Sequence, residues 1–263
     1  KSVVGVRKSD VTFKENVWYI NEENNDLNKV VFDDNFSNVR IDSLVISHMN
    51  ESIQLAGEIR DTDYKNIKAR FNNVDIGKIT PAVDSLDLRG NVNGTLQFLE
   101  QNGAYYPNSS VVIDNVIIND IPFGDLDLTI EGNEDLTRYA IDISLLDNGK
   151  KPLSAVGTVD VAPQNPQIDL TIALDAFNLQ AFSPFGGEVI TNIRGFATGN
   201  ARVTGNYKSP NIDGRIDLAN SGLTIPYLNV DFDINNNTPV FISKNALEIR
   251  PTNITDTKYN TVG

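Results

Sequence analysis

Cysteine is absent and histidine occurs once in 263 residues. Without a thiol there is no disulfide framework, no thiolate zinc site and no cysteine nucleophile. A single imidazole excludes multi-histidine metal sites. A Ser-His-Asp arrangement would have to use His48, which stands in the turn-like stretch Ser47-His48-Met49-Asn50-Glu51, far from any Gly-x-Ser-x-Gly elbow. His48 is therefore read as an incidental turn residue. Basic residues are few: 22 Lys+Arg against 35 Asp+Glu leaves a net charge of −13. That balance lacks the positive footprint behind most nucleic-acid affinity and is repelled by anionic membrane surfaces, so nucleic acid is not an expected partner. No apolar run approaches the roughly 20 residues that a membrane-crossing helix needs. Glutamate is scarce beside aspartate and asparagine, 10 against 25 and 33. Asn and Asp compete with helical hydrogen bonding whereas Glu supports it, so the bias favours turns and strands.

What is present is a period of two. From Leu86 to Phe98 every even position is apolar or Gly and every odd one is polar. A strand sorts such a pattern onto two faces, whereas a helix scatters it. Leu86, Leu88, Val92, Leu96 and Phe98 fall on the apolar face. The same alternation places Leu126, Leu128 and Ile130 together, then Ile141 and Ile143, then Ile168, Leu170, Ile172 and Leu174, and finally Val230, Phe232 and Ile234. Turn signals at Asn102-Gly103, Asp147-Asn148-Gly149, Asp213-Gly214 and Asn235-Asn236-Asn237 predict hairpins and hence an antiparallel meander. Helices are confined to single turns, over Asp75–Thr80 ended by Pro81 and over Asn178–Phe182 ended by Pro184 and Gly186-Gly187.

The stretch from about residue 41 to 133 recurs from about 141 to 236. Leu55–Ile59 answers Ala155–Val159, Ile67–Phe71 answers Ile168–Ile172, Val74-Asp75-Ile76 answers Phe177-Asn178-Leu179, Leu88–Gly94 answers Ile193–Gly199, and Ile121-Pro122-Phe123 answers Ile225-Pro226-Tyr227. The boundary near Gly132–Thr137 is turn-sized, not a linker, so one continuous β segment over 1–263 is expected. The fold class read here is all-β: an elongated, curled antiparallel sheet forming a repeating β-groove. About twenty strands would make a trough on the order of 90 to 100 Å long.

These motifs resemble the TamB proteins of the AsmA-like superfamily, in the form found in Bacteroidota. The matching stretches are Trp18-Tyr19-Ile20-Asn21-Glu22-Glu23-Asn24, Phe71 to Pro81, Leu88 to Gly94, Phe182-Ser183-Pro184-Phe185, Arg194 to Ala201, Gly222 to Asp231 and Asp256-Thr257-Lys258-Tyr259. The resemblance implies a periplasmic groove that carries phospholipid or another acyl-chain lipid between the inner and outer membranes. It also implies an inner-membrane anchor and an outer-membrane β-barrel partner of the BamA/TamA type, both beyond this segment, which reads as an excerpt of a longer protein. The lining of such a groove would be the apolar residues named above, with no catalytic residue, cofactor or metal.

An alternative is a protein-binding scaffold whose sheet edges receive strands of outer-membrane proteins. A repeat adhesin is a weaker option, because Asp125/Asp127 and Asp231/Asp233 alternate along strands and do not form Ca²⁺ loops. Enzymatic activity is not expected, since the carboxylates fall on the polar sides of strands without a phosphate loop or nucleophile nearby. Along 194–205, Gly195, Ala197, Gly199, Ala201, Val203 and Gly205 share a face, whose small groups leave room either for a ligand or for a tight bend. Ser43 and Ser85, in Asp-Ser-Leu tripeptides, resemble a short O-glycosylation signal. Trp18 is expected to anchor packing near the start.

Overall fold

A computed structural model describes residues 2–61, 63–80, 84–101, 104–133, 137–161, 166–206 and 209–257. Four short strands come first: β1 (Ser2–Gly5), β2 (Ser9–Phe13), β3 (Asn16–Ile20) and β4 (Lys29–Phe32). Eleven long strands follow. They are β5 (Asn38–His48), β6 (Glu51–Arg60), β7 (Tyr64–Asp75), β8 (Leu88–Gln101), β9 (Ala104–Ile118) and β10 (Ile121–Gly132), then β11 (Arg138–Asp147), β12 (Lys150–Asp160), β13 (Gln167–Asn178), β14 (Thr191–Asn206) and β15 (Asn211–Ile225). Four more short strands complete the described residues: β16 (Val230–Ile234), β17 (Thr238–Ser243), β18 (Ala246–Ile249) and β19 (Ile254–Asp256).

All 19 strands belong to one antiparallel sheet, open and not closed into a barrel. From β5 to β15 each strand pairs with the next in sequence. At both ends the sheet forks. The first half of β5 pairs with β4 and the second half with β3, while β15 pairs with β17 through 214–218 and with β16 through 221–225. β1, β2, β18 and β19 complete the prongs. Because the end strands stand side by side, the sheet is fifteen strands deep, and its length is about 67 Å at about 4.8 Å per spacing. The longer trough expected from the strand count is corrected by that fork.

A line of bulges crosses the meander. At Asn73, Asn115, Ala176 and Asn220 the backbone is left-handed, with φ of 52°, 54°, 50° and 47°, and the register slips there by one residue. Each N–H freed by the bulge donates to a side chain on a neighbouring segment. The acceptors are Asn93 Oδ1 at 2.8 Å, Asp125 Oδ1 at 2.8 Å, Thr198 Oγ1 at 2.9 Å and Asn236 Oδ1 at 2.6 Å, respectively. Asparagine tolerates this conformation, and bulges bend a strand and raise its twist, so the line is where the sheet turns.

Beyond that line lie the two expected helical turns and a third, unexpected 3-10 turn at Pro226–Leu228. The short helix α1 (Ile76–Ile79) starts where Asp75 Oδ1 accepts from Gly77 N at 2.9 Å, and a 3-10 segment (Leu179–Gly186) starts where Asn178 Oδ1 accepts from Gln180 N at 2.9 Å. Both expected turns thus begin with an Asx cap, at equivalent repeat positions. Pro184 does not end the second turn as expected. It opens a further turn, closed by Gly187 N donating to Pro184 O at 3.3 Å, because a turn's first residue needs no N–H of its own. Pro81 and the Asn102-Gly103 signal lie outside the described residues.

Two other expectations are corrected. Asp213-Gly214 is no turn but the interior of β15. There a Cβ on Gly214 would come 2.6 Å from Ala201 Cα, so the glycine serves close strand approach. His48 ends β5, one residue short of the turn at Met49-Asn50. The Asn148-Gly149 hairpin forms, left-handed at both residues, but Asn235–Asn237 is not a hairpin tip: it links β16 to β17, which do not pair with each other and lie side by side along β15.

The repeat persists with one shift. Laying Gly57 on Gly157 puts Ile67 on Leu170, Phe71 on Leu174 and Gly94 on Gly199, each pair holding the same place in the register. The sequence alignment placed β7 two residues away, on Ile168–Ile172. A two-residue slip preserves alternation, so hydrophobic pattern alone does not detect it.

Candidate functional site

Apolar residues line up across strands as well as along them. One row runs Ile46, Ile53, Phe71, Gly94, Val111, Leu128, Ile143, Ala155, Ile172, Ala201 and Gly214, from β5 to β15 without a polar member. A parallel row runs Leu44, Leu55, Ala69, Leu96, Ser109, Ile130, Ile141, Gly157, Leu170, Val203 and Ile212, broken in character by Ser109. On the opposite face the corresponding row reads Gln54, Arg70, Thr95, Ser110, Thr129, Asp142, Val156, Thr171, Arg202 and Asp213. The period of two thus produces one apolar and one polar surface along the whole meander.

The apolar face has two margins of different character. On the bulge side it is dry. Trp18, Val74, Val92 and Val111 form a buried cluster against Ile76 and Ile79 of α1. Val116, Phe123, Leu145, Phe177 and Ala181 form a second, with Leu88, Leu126 and Leu174 packed on it. Ala197, Leu218 and Val240 form a third, joined by Ile234. Trp18 is thus a packing residue, and Leu88, Val92, Leu126, Leu174 and Ile234 contribute to closed packing. Ala197 is fully buried there, and a Cβ on Gly199 would stand 2.2 Å from Arg215 O. Close strand approach therefore explains the small residues of β14 at these two places.

The other margin is open. Leu96 and Phe98 are 40% and 42% exposed. Leu128, Ile130, Ile141, Ile143, Ile168, Leu170 and Ile172 are half-buried and belong to none of the three buried clusters, and Leu86 is half-buried just ahead of β8. Val230 and Phe232 face Ile225 and Leu223 at the far fork, also half-buried. The predicted lining residues therefore share one face, but the register and the bulges divide them into a covered group and an open group. The chain exposes 15743 Å², well above the about 11,000 Å² of a compact monomer of this length.

The polar face holds the charge. Arg202 forks onto Asp169 with bonds of 2.8 and 2.7 Å. At the far fork Arg194 reaches Asp231 at 2.9 Å and Asp233 at 2.6 Å, and Thr224 and Thr257 donate to Asp231 at 2.7 and 2.9 Å. The Thr224 hydroxyl holds the Asp231 carboxyl below its ordinary 3.8, against opposing desolvation, and Thr257 and Arg194 add to the effect. Asp231 and Asp233 thus tie β14, β15 and Thr257, just past β19, to β16. Among the described residues no group of three or more His, Asp or Glu is placed to hold a metal ion, and no helix is long and apolar enough to cross a membrane. Ser43 Oγ accepts from Gln54 at 3.1 Å on the same polar face, whereas Ser85 stands exposed in a turn with φ of 63°.

Sequence reading missed the bulge acceptors Asn93, Asp125 and Thr198. The signal was their position: each lies opposite the extra residue, among alternating polar groups that otherwise look interchangeable. No family model, curated protein or solved structure matches this chain.

Proposed function

We propose that this chain is a stretch of a periplasmic bridge whose open apolar face carries phospholipid between the inner and outer membranes in support of outer-membrane biogenesis. The observation that carries the reading is the one-sided apolar surface continuous over eleven strands and left half-exposed along one margin. Burying an acyl chain there contributes about 0.8 kcal/mol per CH₂, spread over many equivalent contacts, so a chain is held without being fixed and can slide. The resemblance to TamB proteins supports the same reading, including a periplasmic setting and an outer-membrane β-barrel partner beyond this segment.

The test is positional. Photoreactive side chains at Leu170 and Leu128, on the open rows, are expected to crosslink lipid, while the same group at Val74, beneath α1, is expected not to. A native mass spectrum without co-purified lipid, together with no crosslink at Leu170, would overturn the proposal.

The exposed prongs favour a second reading. Every residue of β1 and β2 is exposed, and each strand pairs on one side only among the described residues. A strand of an outer-membrane protein could add there. Proline substitutions in β2 would abolish client binding on this reading and leave lipid crosslinking intact; unchanged client binding would remove it.

A further inference from the structure

We infer that Lys65 and Glu100 form a headgroup subsite at the open margin, selective for a zwitterionic phospholipid whose cation is a primary ammonium; this rests on the lipid-carrying reading above. Lys65 and Glu100 are register partners on β7 and β8, on the same side of the sheet as Ile67 and Phe98, and their side chains meet at 2.6 Å. Glu100 is 7% exposed, whereas the Lys65 side chain is 38% exposed. Two and four residues along β8 stand Phe98 and Leu96, both exposed large apolar groups. Ile59, which faces Lys65 from β6, also lines a concavity of about 260 Å³ with Phe32, Val39 and Arg60. The pair itself does not line that concavity; it adjoins it through Ile59 and adjoins the exposed apolar side chains through Phe98.

The second repeat shows that the architecture does not require this pair. There Val159 faces Ile168 and Ile168 faces Gly205, in the places of Ile59, Lys65 and Glu100. Taking a carboxylate out of water is costly, and apolar residues often serve as well as an ion pair inside a structure. A ligand carrying both charges supplies a physical reason for the pair. A headgroup phosphate would accept from the Lys65 ammonium, while the headgroup amine would donate to Glu100, with the acyl chains on Phe98 and Leu96. An anionic headgroup without an amine would leave Glu100 facing like charge. A quaternary ammonium cannot donate a hydrogen bond to it.

The experiment presents delipidated protein with mixed micelles of equal dioleoyl phosphatidylethanolamine, phosphatidylglycerol and phosphatidylcholine and counts bound lipid by native mass spectrometry. Phosphatidylethanolamine is expected in excess of each of the other two by about threefold. Glu100→Gln should raise phosphatidylglycerol relative to phosphatidylethanolamine. The double variant Lys65→Ile/Glu100→Gly, which copies the second repeat and so keeps a compatible fold, should bind as much total lipid without headgroup preference. Soluble glycerophosphoethanolamine, lacking acyl chains, should not compete. Equal binding of the three lipids by the native protein, a preference that survives the double variant, or competition by the soluble headgroup would overturn the subsite and leave the apolar face as a lipid carrier. Absence of every lipid would overturn both.

Discussion

Of the three threonines of β14, Thr198 is the one that accepts a bulge N–H. Its Oγ1 accepts the N–H that the bulge at Ala176 removes from the ladder, so Thr198→Val leaves a backbone donor unpaired in nearly the same volume. Because the bond is solvent-exposed, the expected loss is about 0.5 to 1 kcal/mol, read from urea melts, while Thr171→Val on the flat outer row should change stability by under about 0.3 kcal/mol. An equal effect of the two would mean that the bulge donor is satisfied by water. Asp231 gives a pH signature. Its carboxyl is held below the ordinary 3.8 in the folded chain, first by Thr224. Its contribution to stability is therefore complete above that ordinary value and lost as pH falls through the lower folded one. The stability difference between native protein and Asp231→Asn should be level from about pH 7 to 5 and close below about pH 4. A gap that widened on acidification would contradict the sign.

Strands of this sheet approach one another at glycine. A Cβ at Gly157 would stand 2.0 Å from Asp169 O on the adjacent strand, so β12 and β13 would have to separate to admit it. Gly157→Ala is expected to cost about 3 kcal/mol. Gly149, at a hairpin tip with φ of 77° and open space around it, carries only a conformational cost, and Gly149→Ala should lose about 1 kcal/mol. Thermal melts of the two variants check the order. The helical turns were legible from sequence because Asp75 and Asn178 are short acceptors placed just ahead of apolar residues, a local arrangement that needs no tertiary information. Asp213-Gly214 misled because the same dipeptide serves a hairpin tip or a close strand contact, and only the neighbouring Ala201 decides between them.

For the whole molecule, fifteen strands in depth correspond to a body about 67 Å long, and with its cross-section a radius of gyration of about 22 Å, against about 18 Å for a compact domain of this length. Small-angle scattering separates these values, and the lower one would contradict the open sheet. The lining residues divide on this scale too. Leu88 and Leu170 look alike in sequence and are equally half-buried, yet Leu88 packs against the buried cluster that includes Ala181 of the 3-10 segment while Leu170 packs against none of the three buried clusters.

The sequence by itself determined the fold class, the two faces and the repeat, because alternation, turn residues and Asx caps are local and a strand's side-chain period is fixed by backbone geometry. The tertiary structure decided the register between repeats, the forked ends, the bulge line with its acceptors, and which half of the apolar face is covered. These depend on which residues oppose one another across strands, and a period of two is unchanged by a slip of two. The pairing of Lys65 with Glu100, 35 residues apart in the chain, belongs to the same class: its members are ordinary surface charges in sequence and become neighbours only when β7 and β8 pair.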